Sequence, residues 1–296
     1  MLKRTLVFTN PVSLSLRNCQ LVVHRKEQPE EPPTTVPIED IGTVVVESQR
    51  ATLTIPLINA LAESGVQVVF CNERNMPASL LLPFEGNSTQ CETLRAQMDC
   101  GEVLKKQLWK QIVEAKIRNQ AALLDKVGAE GNALRPYYSN VKSGDSDNRE
   151  GAAARIYFQL LFGYDFVRNR NLDGINSLLN YGYSILRAAV ARAIVGSGLY
   201  PGIGMFHHHR SNAFPLADDL MEPYRPFVDE IVFNLNYQGC LVLNKEVKAL
   251  LIRVLYADTA FQKVTRPLSV GLSFTTASLV KCYKKEEKSL SLPHLK

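Results

Sequence analysis

Val66-Gln67-Val68-Val69-Phe70 is the last stretch that reads as a β-strand before the hydrophobic period of the chain changes, and that change decides the fold. Working backward, Gly65 closes a helical pattern over 55–64 in which Leu57, Ile58 and Leu61 share a face. Earlier still the apolar residues come in short runs: Ile41 to Val46, Leu21-Val22-Val23, Leu14-Ser15-Leu16 and Thr5-Leu6-Val7-Phe8. Leu14 and Leu16 alternate with polar neighbours, as on a half-buried strand, and Asn18-Cys19 reads as the turn into the next one. Gln28-Pro29-Glu30-Glu31-Pro32-Pro33 is a surface loop, because proline cannot donate to a sheet ladder.

Forward of the strand, beyond Pro83 and Gly86, the period becomes helical. Leu94, Leu104, Leu108, Ile112, Ile117, Ala121 and Leu124 fit one face between Glu92 and Val127, and Lys105, Lys106, Lys110, Lys116, Arg118 and Lys126 decorate the same segment. Such a lysine-rich helix is more often a solvated face than a DNA-facing one. Further helical patterns run over 151–162 and 172–195 and through Val228, Ile231, Val232 and Leu235. The expected fold is therefore α+β: a small N-terminal β-sheet domain with one helix over 1–85, then a larger all-α domain over 86–296. The polar, lysine-rich residues 281–296 are expected to fray.

Composition narrows the class without choosing a function. With 46% hydrophobic and 21% charged residues among 296, the chain can bury a substantial core. Its net charge of +5 permits a nucleic-acid partner but does not demand one. Six scattered cysteines, none at zinc-knuckle spacing, argue against a disulfide framework. The apolar stretch 186–199 contains Arg187 and Arg192 and is closed by Pro201, which excludes a membrane span. The first residues carry too short an apolar run for a signal peptide, so the expected location is the cytoplasm.

The chemistry-bearing residues concentrate late in the chain. His207, His208 and His209 are consecutive, so their side chains diverge and at most one or two can address the same ion. Gly202-Ile203-Gly204 precedes them, and Asp218, Asp219 and Glu222 follow. On a helix either Asp219 or Asp218 could share a face with Glu222. One imidazole with two or three carboxylates is a mixed nitrogen and oxygen set that suits Mg²⁺ or Mn²⁺ better than structural zinc. Pro223 and Pro226 point to a short turn, a break, and a new helix starting near Pro226. Upstream, Glu150 opens a helical pattern rich in small residues, where the helix dipole alone would explain a glutamate.

Taken in order, these segments resemble the CRISPR adaptation integrases, the Cas-one family. Glu150-Gly151-Ala152-Ala153-Ala154-Arg155-Ile156-Tyr157 is similar to that family's E-G-x-A-A/A-R-x-Y segment, and Asn176 to Leu186 to its central helix. Gly204-Met205-Phe206-His207 is similar to its G-x-x-H, and Asp219-Leu220-Met221-Glu222-Pro223-Tyr224-Arg225-Pro226 to its D-L-M-E-x-F/Y-R-P. The likeness extends to Pro37-Ile38-Glu39-Asp40-Ile41 and Gly65 to Cys71 in the first half. Asn18-Cys19 departs from the Asn-Gly usual in relatives, and the Met-Glu-Pro-Tyr-Arg-Pro wording is closest to the type II systems.

The resemblance implies a metal-dependent DNA endonuclease and integrase with Glu150, His207 and Glu222 as catalytic metal ligands. Asp219 stands at the family's nearby second acid. It further implies Mg²⁺ or Mn²⁺ as cofactor, and 3′-hydroxyl transesterification of protospacer DNA into a repeat array. The implied assembly is a homodimer through the sheet domain, bridged by a Cas-two family dimer into a heterohexamer on double-stranded protospacer and repeat DNA, with other type II adaptation proteins as further partners. Two rival readings use the same residues: a nuclease of branched DNA or RNA that integrates nothing, and a non-catalytic DNA-binding scaffold.

Overall fold

The computed structural model describes residues 3–83, 85–262 and 264–296. The chain divides between Gly86 and Asn87 into two compact units.

The first unit holds β1 (Arg4–Phe8), β2 (Val12–Arg17), β3 (Gln20–Arg25), β4 (Thr34–Pro37), β5 (Ile41–Val46), β6 (Thr52–Leu53), α1 (Ile55–Glu63), β7 (Gln67–Cys71) and β8 (Pro77–Leu81). The expected strands and helix are present, but they build two sheets rather than one. One sheet has the order β1-β5-β7-β8 and the other β4-β3-β2-β6. Strands β1, β5 and β7 run parallel, with α1 in the crossover from β5 to β7, and β8 returns antiparallel. The turn between β2 and β3 is the two residues Asn18 and Cys19, both left-handed at φ 48° and 56°. Paired positive φ values match the twist of a tight hairpin. Leu14, Leu21, Ile41, Val44, Leu57, Leu61 and Val68 form the unit's core.

The second unit runs α2 (Gln90–Met98), α3 (Glu102–Lys126), α4 (Arg135–Tyr138), α5 (Arg149–Phe162), α6 (Ile175–Gly196), α7 (Pro215–Met221), α8 (Arg225–Tyr237), α9 (Lys245–Ile252), β9 (Asp258–Phe261), β10 (Val264–Pro267) and α10 (Leu268–Tyr283). It is mostly helical rather than all-α, since β9 and β10 pair antiparallel. The single helix expected between Glu92 and Val127 is two, because Gly101 is extended at φ −71° and ψ 153° and caps α3 afresh. Helices α3 and α6 carry the core through Leu108, Ile112, Ile117 and Leu124, and through Leu178, Ile185, Val190 and Ile194. Where α6 meets α8, a Cβ at Gly182 would strike Val228 Cγ1, so only glycine allows that approach.

The expectation of a frayed end over 281–296 is overturned at both ends, since residues 281–283 complete α10 with Cys282 and Tyr283 buried, and the last residues pack as well. Lys285 to Ser289 are exposed, but the chain then lies back on the helices, burying Pro293 and Leu295. Its backbone is held by side chains of α3 and α10 that turn amides and carbonyls away from water. A lysine count cannot register such pairing, which depends on what the helices present.

Candidate functional site

Glu150 sits in the first turn of α5, and the preceding loop fixes it there. Asp145 and Asn148 are left-handed at φ 49° and 52°, a conformation their short polar side chains tolerate. The Asp145 carboxylate accepts from the backbone N–H of Arg149 at 2.8 Å and of Glu150 at 3.0 Å, and Asn148 Oδ1 from Gly151 at 3.3 Å. These bonds satisfy amides that a helix start leaves unpaired. Burial holds the Asp145 carboxyl above its ordinary range despite the amides it accepts.

His207 is positioned by Asp219, which is wholly buried on α7. The Asp219 carboxylate accepts from the backbone N–H groups of Met205 (2.5 Å), Phe206 (3.2 Å) and His207 (3.1 Å). It also pairs with His207 Nδ1 at 2.7 Å, so the loop is wrapped on one acid. A Cβ at Gly204 would lie 2.7 Å from the His207 carbonyl and 3.0 Å from Asp219 Oδ2, which explains the glycine three residues before the histidine. Trp109 stacks on Phe206 with ring centroids 4.3 Å apart and meets the His207 ring edge-on. The bond to Asp219 raises the His207 pKa, and burial opposes it. His208 and His209 are exposed, and His209 Nδ1 is spent on Ser211 Oγ at 2.8 Å, so of the three only His207 is partly buried.

Glu222 is buried in the single 3-10 turn, Glu222–Tyr224, that joins α7 to α8. The expected break and restart are present, with Pro226 in the first turn of α8. Glu150 and Glu222 are brought together, but through a residue that sequence reasoning assigned to a solvated face. Lys116 of α3 is buried, and its Nζ pairs with Glu150 Oε1 and lies 2.5 Å from Glu222 Oε2. Glu222 Oε1 accepts from Arg225 Nε at 2.8 Å, whereas Oε2 is buried against the Lys116 ammonium. Burial would lower the Lys116 pKa, but the charges of Glu222 and Glu150 outweigh it and raise it above the ordinary value. Burial would likewise raise Glu222, yet Arg225 and Lys116 hold it down at about 2.

Lys116 had a signal in the sequence. It lies at helical spacing from Trp109, Ile112 and Val113, all buried, and so falls on the apolar stripe rather than beside it. Lys106, Arg118 and Lys126 are exposed, as expected of that helix.

His207 makes its charge contact with Asp219 rather than with either glutamate. Among the described residues no group of three or more His, Cys, Asp or Glu side chains is arranged to hold a metal ion. The donor chemistry nevertheless fits one. Two carboxylates already converge on a cation, Glu222 Oε2 is buried facing it, and the pairing of His207 Nδ1 leaves Nε2 as the second ring nitrogen. Beside His207 opens a groove of about 660 Å³ lined by Arg168, Arg170, Arg187 and Arg225. Arg168 is held by Asn176 and Asn180 at 2.9 and 2.7 Å, and Arg187 by Asp218 at 2.6 Å. Arg225 packs its guanidinium over the Tyr183 ring, 4.5 Å from the centroid.

Residues 5–266 match the family described as CRISPR associated protein Cas1. The chain belongs to the Cas1 family. A CRISPR-associated endonuclease Cas1 of Neisseria meningitidis serogroup C (strain 8013) is 40% identical over 264 residues, covering 88% of this chain and 85% of the relative. Among solved structures, a casposase bound to integration product superposes with a TM-score of 0.78 at 21% identity, over 98% of this chain and 93% of that one. A Cas6-RT-Cas1–Cas2 complex superposes at 0.75 and 20% identity, over 99% of this chain and 36% of that chain. At these identities the two structures speak for the Cas1 fold alone. No described helix is long and apolar enough to cross a membrane.

Proposed function

We propose that this Cas1 protein is a divalent-metal-dependent DNA integrase and endonuclease of CRISPR adaptation, with Glu150, His207 and Glu222 as the metal ligands. The observation that carries the reading is the convergence of Glu150 and buried Glu222 on one cation; His207, anchored on Asp219, feels the charge of Glu222. When bound there, Mg²⁺ or Mn²⁺ would supply positive charge for the anionic transition state of phosphodiester exchange. In that exchange the 3′ oxygen of the incoming DNA bonds to phosphorus as the phosphorus–oxygen bond to the displaced 3′ end breaks. One phosphodiester replaces another, so no energy-carrying cofactor is required.

The residues around the centre have separate tasks. Asp219 keeps the imidazole in one tautomer and orientation, and Arg225 keeps Glu222 ionised. The arginine groove offers pre-positioned cations to strand phosphates next to His207. The relatives' names support the assembly: a casposase bound to integration product for the DNA partner, a Cas6-RT-Cas1–Cas2 complex for a Cas2 partner. On this reading the sheet unit dimerises the protein, a Cas2 dimer bridges two such dimers, and the helical unit is catalytic and DNA-binding.

A half-site integration assay with Cas2, protospacer and repeat DNA tests this. Glu150→Ala, His207→Ala and Glu222→Ala should each lower product formation by about two orders of magnitude or more while DNA binding survives. Full activity in all three would leave only a scaffold, and cleavage of branched DNA without joining would leave only a nuclease. Arg168→Ala should weaken binding alike for all sequences and reduce the slope of log affinity against log salt by about one.

A further inference from the structure

The segment that was expected to fray reaches the candidate centre by two routes. The first runs through Asn119, buried on α3 one turn beyond Lys116. Its Nδ2 donates to the carbonyl of Pro223 at 2.8 Å and to that of Pro293 at 3.0 Å, and its Oδ1 accepts from the N–H of Leu295 at 3.1 Å. The second runs through Thr275 on α10. Its hydroxyl donates to the Ser291 carbonyl at 2.6 Å, which leaves its oxygen to accept from Tyr224 Oη, also at 2.6 Å. Pro223 and Tyr224 are the two residues that follow Glu222 in its turn. The same helix α3 thus grips that turn twice, by Lys116 on the Glu222 carboxylate and by Asn119 on the next carbonyl.

The rest of the segment is built to stay. Leu290 N–H donates to Gln111 Oε1 at 2.8 Å while Gln111 Nε2 donates to the Lys288 carbonyl at 3.0 Å. Ser291 N–H donates to Ser278 Oγ at 2.9 Å, and His294 N–H bridges to the Ala260 carbonyl of β9 at 2.8 Å. These anchors span α3, α10 and β9, so the segment ties together elements far apart in sequence.

We propose that residues 288–296 are a clasp that sets the position of Glu222, with Asn119 and Thr275 as positioning residues that transmit the clasp to its turn. Neither residue touches the reacting atoms. Each satisfies buried polar groups on both sides, and loss of either leaves a buried carbonyl or hydroxyl free to pull the turn out of place. The inference rests on the reading of Glu222 as a metal ligand, and the test separates the two.

The measurement is Mn²⁺ binding by calorimetry on the full chain, with the thermal midpoint recorded for each variant. Thr275→Val is nearly isosteric and removes only the hydroxyl; Asn119→Ala removes the whole bridge; Leu251→Ala, on the buried face of α9, is the stability control. The expected result is Mn²⁺ affinity lower by about tenfold in Asn119→Ala and severalfold in Thr275→Val, with Leu251→Ala within about twofold of the parent at a comparable loss of thermal midpoint. Parent-like affinity in Thr275→Val and Asn119→Ala, with binding lost in Glu222→Ala, overturns the clasp and leaves the metal centre standing. Parent-like affinity in Glu222→Ala overturns the metal reading and the clasp with it.

Discussion

Glu222, in the turn between α7 and α8, and Asp229, on α8, are both buried carboxylates, and the protein drives them in opposite directions. Burial alone would raise both. Against it, the Arg225 guanidinium and Lys116 ammonium hold Glu222 down at about 2. Asp229 has hydroxyls for its hydrogen-bond partners, Tyr183 at 2.5 Å and Tyr157 at 2.8 Å, and feels Arg225 and Lys116 only as charges without a bond; together these offset its burial in part, leaving it up at about 6. A buried carboxylate stays charged beside full counter-charges and is half lost beside neutral donors. Glu222 is thereby ionised at any physiological pH, as a cation ligand must be. Asp229 instead ties α5 to α6 through Tyr157 and Tyr183.

The largest effect should follow from removing a counter-charge on the Glu222 side. Lys116→Met keeps the stem and deletes the ammonium, leaving Glu150 and Glu222 to face each other with Arg225 alone. Urea unfolding at neutral pH should show a loss of about 3 kcal/mol, the scale for breaking a buried ion pair from one side. Millimolar Mn²⁺ should recover more stability in this variant than in the parent, because a divalent ion can replace the missing positive charge. A loss under about 1 kcal/mol would mean that Arg225 alone sustains Glu222, and the contrast with Asp229 would need another cause.

That contrast also marks what the sequence makes legible. Alternation at Leu14 and Leu16 and the spacing of Leu57, Ile58 and Leu61 reveal elements, because burial on one face imposes a period on the chain. The pairing of strands into two sheets leaves no such trace, since register depends on partners distant in sequence. At the site, composition and spacing point to the neighbourhood of His207, Asp219 and Glu222, and resemblance alone adds Glu150. Lys116 was hidden by its type: lysine reads as surface, and only its place among Trp109, Ile112 and Val113 tells otherwise. The clasp was hidden because Asn119 and Thr275 act on backbone groups, which every sequence contains.

The Asp229 side of the comparison predicts a pH dependence with a definite sign. Its carboxyl lies at about 6 when folded, against 3.8 when free. A group raised on folding contributes stability that is fully present below the free value and is lost as pH rises through the folded one. Asp229→Asn removes that titration. Measured by urea unfolding at several pH values, the variant should therefore gain on the parent between about pH 4 and pH 6.5, by on the order of 3 kcal/mol in total, and hold level above. Glu222, depressed on folding, carries the opposite dependence: its stability is present above its free value and lost as pH falls toward about 2. The two windows barely overlap, so the Asp229 step should be visible alone. A parallel course of variant and parent from pH 4 to 7 would show that the tyrosines sustain the charge as well as Lys116 and Arg225 do.

The smallest expected effect sharpens the same point. Tyr157→Phe removes the donor at 2.8 Å and leaves the shorter bond from Tyr183. The ring still fills its place on α5, so the packing that Tyr157 shares with the core should be preserved. The cost at neutral pH should be about 1 to 2 kcal/mol, typical of one buried hydrogen bond to a charged or partly charged acceptor. At pH 4, where the folded carboxyl is protonated, the cost should shrink, because a neutral carboxyl needs a donor less. Titration of Asp229 itself, followed by the carboxyl carbon resonance, should move upward in the variant. A cost that is the same at pH 4 and pH 7 would assign Tyr157 to packing alone and leave Tyr183 as the hydroxyl that steadies Asp229.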